Sequence, residues 1–162
     1  MVEIGRLPAA RWRDYRDIRL EALKSEPSAF GSSFSEAKKL TGDEWRRRIK
    51  SVLFALSDGK PVGTIVYVID SGIKTRHIAE IYGFYVSGDH RGEGVGARLF
   101  EHALSLIRKN RGIVKVRLYV NPEQRAAVRL YRKAGFVVTG RLEKELKVGR
   151  RFYSMLCMEK ML

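Results

Sequence analysis

The stretch that most constrains the fold is residues 81–107. The apolar run Ile81-Tyr82-Gly83-Phe84-Tyr85-Val86 is followed by Arg91-Gly92-Glu93-Gly94-Val95-Gly96, and an amphipathic run from Val95 to Ile107 begins inside that turn. The pattern is strand, glycine-rich turn, helix. A helix that starts directly from such a turn leaves its first N–H groups unpaired, and those groups hold phosphate. Gly94 and Gly96 permit close approach of a ligand to the backbone and the positive φ that a tight loop needs. Arg91 adds a fixed positive charge. A phosphorylated ligand is expected here.

The rest of the chain supplies a frame for this unit. Val2 to Leu7 alternates as a first strand, and Pro8 opens a helix over about residues 9 to 24, with Trp12, Tyr15, Ile18, Ala22 and Leu23 on one face. Pro27 ends it. Ser25 to Ser35 reads as a loop whose Phe30 and Phe34 either pack on the core or line a substrate entrance. Thr41 or Asp43 caps a second helix through Ile49. Val52 to Leu56, Asp58-Gly59 and Val62 to Ile69 form a hairpin signature, and His77 to Val86 is another strand. The motif helix turns Val95, Leu99, Ala103, Leu106 and Ile107 inward and stops at Gly112. Ile113 to Val120 is β-branched. Asn121 then serves as N-cap and Pro122 as N1 of a helix carrying Ala127, Leu130, Tyr131 and Ala134, ended by Gly135. Phe136 to Val138 and Phe152 to Met158 are the last strands. The order β-α-α-β-β-β-α-β-α-β-β predicts an α/β (α+β) mixed sheet with helices on its faces, in one domain over residues 1–162.

Composition narrows the classes. With 44% hydrophobic and 31% charged residues the chain is globular. No apolar run approaches the roughly 20 residues of a membrane helix, and residues 1–14 lack the apolar segment of a secretory signal. The single cysteine, Cys157, excludes an internal disulfide and reads as a packed core thiol, so a cytoplasmic location is expected. The net charge of +14 suits an anionic ligand or partner, but only Arg46-Arg47-Arg48 and Arg150-Arg151 are compact clusters, which weakly supports nucleic acid or ribosome association. One glutamine and two asparagines amid many charges hint at a thermophilic source.

Three phosphate motifs compete. A P-loop needs Lys and Ser or Thr after its last glycine, whereas Gly96 is followed by Ala97 and Arg98. Gly92, Gly94 and Ala97 satisfy the dinucleotide fingerprint in letters, but three or more strands precede it and the next strand ends at Asn121 rather than an acid. The third reading is Arg-x-x-Gly-x-Gly, in Arg91, Gly94 and Gly96. Together with the preceding strand, the strand ending in Asn121 and the run Ala126-Ala127-Val128-Arg129-Leu130-Tyr131 to Gly135-Phe136, it resembles the GNAT N-acetyltransferase superfamily over residues 77 to 140. The resemblance implies a GNAT-like, mostly antiparallel twisted sheet of about seven strands with four helices, splayed at its centre. It implies acetyl-CoA as co-substrate, with Phe84, Tyr85, Val86, Arg91, Gly92, Glu93, Gly94, Val95, Gly96, Ala97, Asn121, Ala127 and Tyr131 around it. A bulge at Gly83 is expected to create the splay, so that pantetheine pairs with the free edge. N–H groups near Tyr85 and Val86 would receive the thioester carbonyl.

The implied reaction moves an acetyl group from a thioester to a primary amine. Glu80, mid-strand between apolar residues, is the candidate base, and an ion pair with a basic neighbour is its alternative role. By resemblance Tyr131 returns a proton to the departing thiolate. Arg125 and Arg129 are candidates for the CoA phosphates. His77, His90 and His102 show no metal spacing, and no metal is expected. The first choice of acceptor is a protein lysine or N-terminal α-amine. A small amine or polyamine is the second, with Glu21, Glu26 and Glu36 as a patch to receive it. A non-catalytic CoA- or nucleic-acid-associated module is the rival, and a homodimer is compatible with either.

Overall fold

Alternation along one strand sets the architecture. Val52, Leu53, Phe54 and Ala55 are all 1% exposed or less, yet Leu53 and Ala55 join one hydrophobic cluster while Val52 and Phe54 join another. A strand buried on both faces requires helices on both sides of its sheet. The computed structural model, which describes every residue from Met1 to Leu162, meets that requirement.

Seven strands form one sheet: β1 (Val2–Gly5), β2 (Val52–Ser57), β3 (Lys60–Ile69), β4 (Ile78–Val86), β5 (Lys115–Val120), β6 (Val137–Val148) and β7 (Arg151–Met161), in the order β1-β2-β3-β4-β5-β7-β6. Only β4 and β5 pair in parallel. The β2–β3 turn is Asp58-Gly59, both at positive φ (48° and 74°), as a two-residue hairpin demands. Helices α1 (Trp12–Ser25) and α3 (Gly42–Ile49) bury Trp12, Tyr15, Ile18, Trp45 and Ile49 on one face. Helices α4 (Val95–Lys109) and α5 (Arg125–Lys133) cover the other with Leu99, Phe100, Leu104 and Tyr131.

Several expectations need correction. There are five α-helices, not four: α2 (Phe34–Ala37) lies at the end of the segment read as a loop. Ser33 and Glu36 cap it reciprocally, the same device that Thr41 and Glu44 supply to α3. Phe30 is buried and Phe34 half-buried, both against the α1–α3 core. Asn121 is not a helix cap, since α5 begins at Arg125 with Gln124 at its N-cap. Asn121 instead closes a turn: its Oδ1 accepts from Glu123 N–H at 2.9 Å and its Nδ2 donates to the Ser28 carbonyl at 3.1 Å. The motif helix ends at Lys109, before Gly112. Strands β6 and β7 are far longer than Phe136–Val138 and Phe152–Met158. β6 is an edge strand with most residues exposed, so charged residues replace the alternating apolar signal, and bulges break its register twice. Cys157 is not in the core. It is half-buried opposite Tyr119, on the face of β7 away from Leu156 and Met158.

Candidate active site

The site arises from a local failure of pairing. On the β3 side, Thr64 pairs with Tyr85 and Val66 with Tyr82, so three steps of β4 oppose two of β3. The extra residue falls at Gly83-Phe84, where Gly83 has φ 61°, a conformation that favours glycine. The buried Thr64 fixes the bulge by donating its hydroxyl to the Gly83 carbonyl at 3.0 Å. On the other side β4 and β5 pair only from Ile78↔Lys115 to Ile81↔Leu118. Beyond that point Tyr82 to Val86 form a free edge. Because Ser87 N–H bonds the Val62 carbonyl, the alternating backbone turns Val86 N–H toward this edge. Bulge and splay thus occur together, as the glycine in the strand predicts.

The N-terminus of α4 opens into the same gap. Gly94 is its N-cap at φ 79°, and the first intrahelical bond is Arg98 N–H to the Gly94 carbonyl at 3.1 Å. Val95, Gly96 and Ala97 therefore present N–H groups without intrahelical partners, a favourable seat for a pyrophosphate. Gly96 acts differently from Gly94. Its φ is not positive, but a Cβ there would meet Phe84 Cζ at 3.3 Å and Val86 Cγ2 at 3.5 Å, so its smallness lets α4 lie close on β4. A cavity of about 760 Å3 joins the free edge to this turn.

Every residue expected around the ligand lines that cavity except Glu93, whose exposed carboxylate faces His90 Nδ1 at 3.7 Å. Arg91 lines it, but its guanidinium is engaged internally. Nε donates to the Val86 carbonyl at 2.8 Å, Nη2 pairs with Glu26 at 2.8 Å, and the plane lies over Tyr85. Arg91 thus fixes the end of β4. Arg125 and Arg129 are exposed on α5 and do not line the cavity.

Glu80 lines the cavity half-buried, opposite Arg117 in the β4–β5 register, with 3.3 Å between Oε2 and the guanidinium. Tyr131 sits among Phe84, Phe100 and Phe136, with ring centroids 5.1 to 6.3 Å apart, and its hydroxyl makes no hydrogen bond within the protein. Burial pushes the Tyr131 hydroxyl well above its ordinary pKa, so it stays protonated.

Of the remaining wall, Phe30 both packs on the core and lines the cavity, joining the two alternatives read from the sequence, whereas its neighbours carried no clear signal. Tyr15, Arg19, Phe30, Arg48 and Tyr82 also line the cavity, with Arg19 beside the Gly83 bulge. Tyr15 is fixed edge-on against Trp45 and Phe54 at 5.4 and 5.9 Å. One clue was available for Arg19: it occupies an inward position between Tyr15 and Ala22 on the apolar face of α1, where a charge is out of pattern. The proposed acidic patch is not free. Glu21 accepts from the Tyr85 and Ser87 hydroxyls, both at 2.8 Å; Glu26 holds Arg91; Glu36 caps α2.

The described geometry has relatives. Residues 12–136 match the model of the Acetyltransferase (GNAT) family. An uncharacterized N-acetyltransferase of Methanocaldococcus jannaschii is 37% identical over 81 residues, 49% of this chain and 35% of that protein, so the chain spans about a third of that relative's length. The fold matches an acetyltransferase of the GNAT family from Streptococcus pneumoniae with TM-score 0.89 and 22% identity, covering 100% of both chains. It also matches a putative acetyltransferase from Salmonella typhimurium, solved with its cofactor acetyl-CoA, with TM-score 0.86 and 19% identity over 100% of this chain and 94% of that one. With its family match covering most of the chain, this protein belongs to the GNAT acetyltransferase family.

Proposed function

We propose that this protein transfers the acetyl group of acetyl-CoA to a primary amine that enters by the Arg19–Phe30 wall of the cavity. One observation carries the reading: the free edge of β4 and the unpaired N–H groups of α4 open into the same cavity. An extended pantetheine has a strand to pair with where its pyrophosphate has a helix N-terminus. The residues present fit the co-substrate at both ends.

In the proposed step the amine nitrogen attacks the thioester carbonyl carbon, whose oxygen is received by Val86 N–H. The N–C bond forms and the C–S bond breaks. Glu80, directly or through water, accepts the proton that the amine loses. Tyr131 donates to the departing sulfur and regains its proton from solvent. A tyrosine already lies above a thiol in pKa and burial raises Tyr131 further, so its main contribution is a hydrogen bond to the developing thiolate.

The acceptor's charge favours an α-amine. About a tenth of an α-amine is neutral at pH 7, against about one lysine in a few thousand, so an α-amine leaves less work to Glu80. A polyamine would bring several cations to a wall carrying Arg19 and Arg48, with the Glu21, Glu26 and Glu36 carboxylates engaged elsewhere. Of the two acceptors placed first on sequence, the N-terminal α-amine is therefore preferred to protein lysine. The test is release of free thiol on incubation with acetyl-CoA and a panel of α-amines, lysine peptides and polyamines. Tight CoA binding without acceptor-dependent thiol release would favour a non-catalytic CoA-binding module.

A further inference from the structure

Among the basic side chains that line the cavity, Arg19 alone keeps a buried nitrogen without a partner. Its Nη1 is buried and has no hydrogen-bond partner. No carboxylate pairs with it, and none pairs with Arg48 on the same wall, although ten ion pairs form elsewhere. Phe30 covers one face of the guanidinium, 4.7 Å from its ring centroid to Cζ. Nη1 lies beside the bulge in β4: a Cβ built on Gly83 would lie 4.0 Å from it. Burial lowers the pKa of Arg19, partly countered by Tyr15, and Arg48 lowers it further. A buried charge in this state is costly unless a ligand completes it.

We propose that the acceptor is a small amine of the amino-acid type, whose carboxylate is bound by Arg19 beside the Gly83 bulge. The claim rests on the acetyltransferase reading above and names its substrate class. The chemistry is specific. A guanidinium with one face stacked on an aromatic ring offers its remaining N–H groups in a plane, and a planar carboxylate accepts them side by side. In an α-amino acid the carboxylate is one carbon from the amine. Anchoring it beside Gly83 holds the nitrogen near the free edge of β4, where the thioester is to lie. Arg48, exposed at the C-terminal end of α3, adds attraction for an anion and repulsion for a second ammonium.

The test compares α-amino acids with their primary amides as acceptors, by acetyl-CoA-dependent thiol release. The wild-type kcat/KM is expected to favour the acid by about 10- to 100-fold, the loss expected from removing one partner of a charged hydrogen bond. Arg19→Met should bring that ratio close to one. Arg19→Lys, which keeps the charge but not the fork, should leave an intermediate ratio. Thermal unfolding of both variants establishes that they fold. Amides turned over as well as acids by the wild type would overturn the proposal while leaving acetyl transfer intact. So would a preference for peptides with an acidic second residue over free amino acids. If no amine is acetylated, the acetyltransferase reading fails, and binding decides the carboxylate claim. Titration of the CoA complex with N-acetyl amino acids and their amides should still show an acid preference that Arg19→Met removes; equal binding would overturn it.

Discussion

Replacing Tyr131 by Phe separates two roles of one side chain. The ring is part of the aromatic cluster with Phe84, Phe100 and Phe136, and Phe keeps those contacts. The hydroxyl has no partner within the protein, so its removal breaks no hydrogen bond. Stability at pH 7 should change by less than about 0.5 kcal/mol. The rate should change much more. General acids contribute about 100-fold or more, and a thiol leaving group is an undemanding case, so a loss of about 100-fold in kcat, or about 2.7 kcal/mol, is expected. KM for acetyl-CoA should stay nearly constant.

The variant also makes a prediction about pH. The folded-state pKa of Tyr131 is raised by burial, whereas the unfolded chain ionises near its ordinary value of about 10. Its contribution to stability is thus fully present below about pH 10. It declines as pH rises, because only the unfolded chain releases the proton, at about 1.4 kcal/mol per pH unit. Tyr131→Phe should remove that share of the alkaline loss. The assay is denaturant unfolding between pH 9 and about 11.5, alongside steady-state thiol release at pH 7.5. Wild-type turnover by Tyr131→Phe would refute the role at sulfur, and an unchanged alkaline slope would refute the burial argument.

Three other substitutions probe the frame. Glu80→Gln should lower kcat about 100-fold if Glu80 is the base. If it serves only the 3.3 Å ion pair with Arg117, turnover should persist and stability should fall by less than about 1 kcal/mol. Thr64→Val removes the hydroxyl that holds the Gly83 carbonyl, with an expected cost of about 1–2 kcal/mol by denaturant unfolding and weaker acetyl-CoA binding by calorimetry. Gly94→Ala has room for its methyl but must hold φ near 79°, so about 1–2 kcal/mol, or a Tm drop of about 3–6 °C, is expected, with reduced CoA affinity.

The sequence was most legible where local chemistry and tertiary context agree. Asp58-Gly59 fixed the hairpin, Gly83 the bulge, and Gly94 the start of α4, because each needs a backbone conformation that few residues adopt. Ser33 and Glu36 have the same spacing as Thr41 and Glu44, yet α2 went unread because it is a single turn with no apolar period of its own. Asn121 looked like a cap because the same side-chain oxygen can close a helix or a turn, and its amide nitrogen is held by the Ser28 carbonyl, a partner distant in sequence. β6 escaped because an edge strand has no buried face to impose alternation. The acceptor wall was hardest to read. Arg19 and Arg48 come from different helices, and the meaning of Arg19 lies in the partner it lacks.

We propose that acetyl-CoA occupies the gap between the free edge of β4 and the N-terminus of α4. A crystal structure of the protein with acetyl-CoA tests it most directly. Pyrophosphate oxygens are expected within hydrogen-bond distance of N–H groups between Gly92 and Ala97, pantetheine along Tyr82 to Val86, and the thioester sulfur facing the Tyr131 hydroxyl. Acetyl-CoA bound elsewhere, or a pantetheine that leaves the β4 edge unpaired, would contradict it.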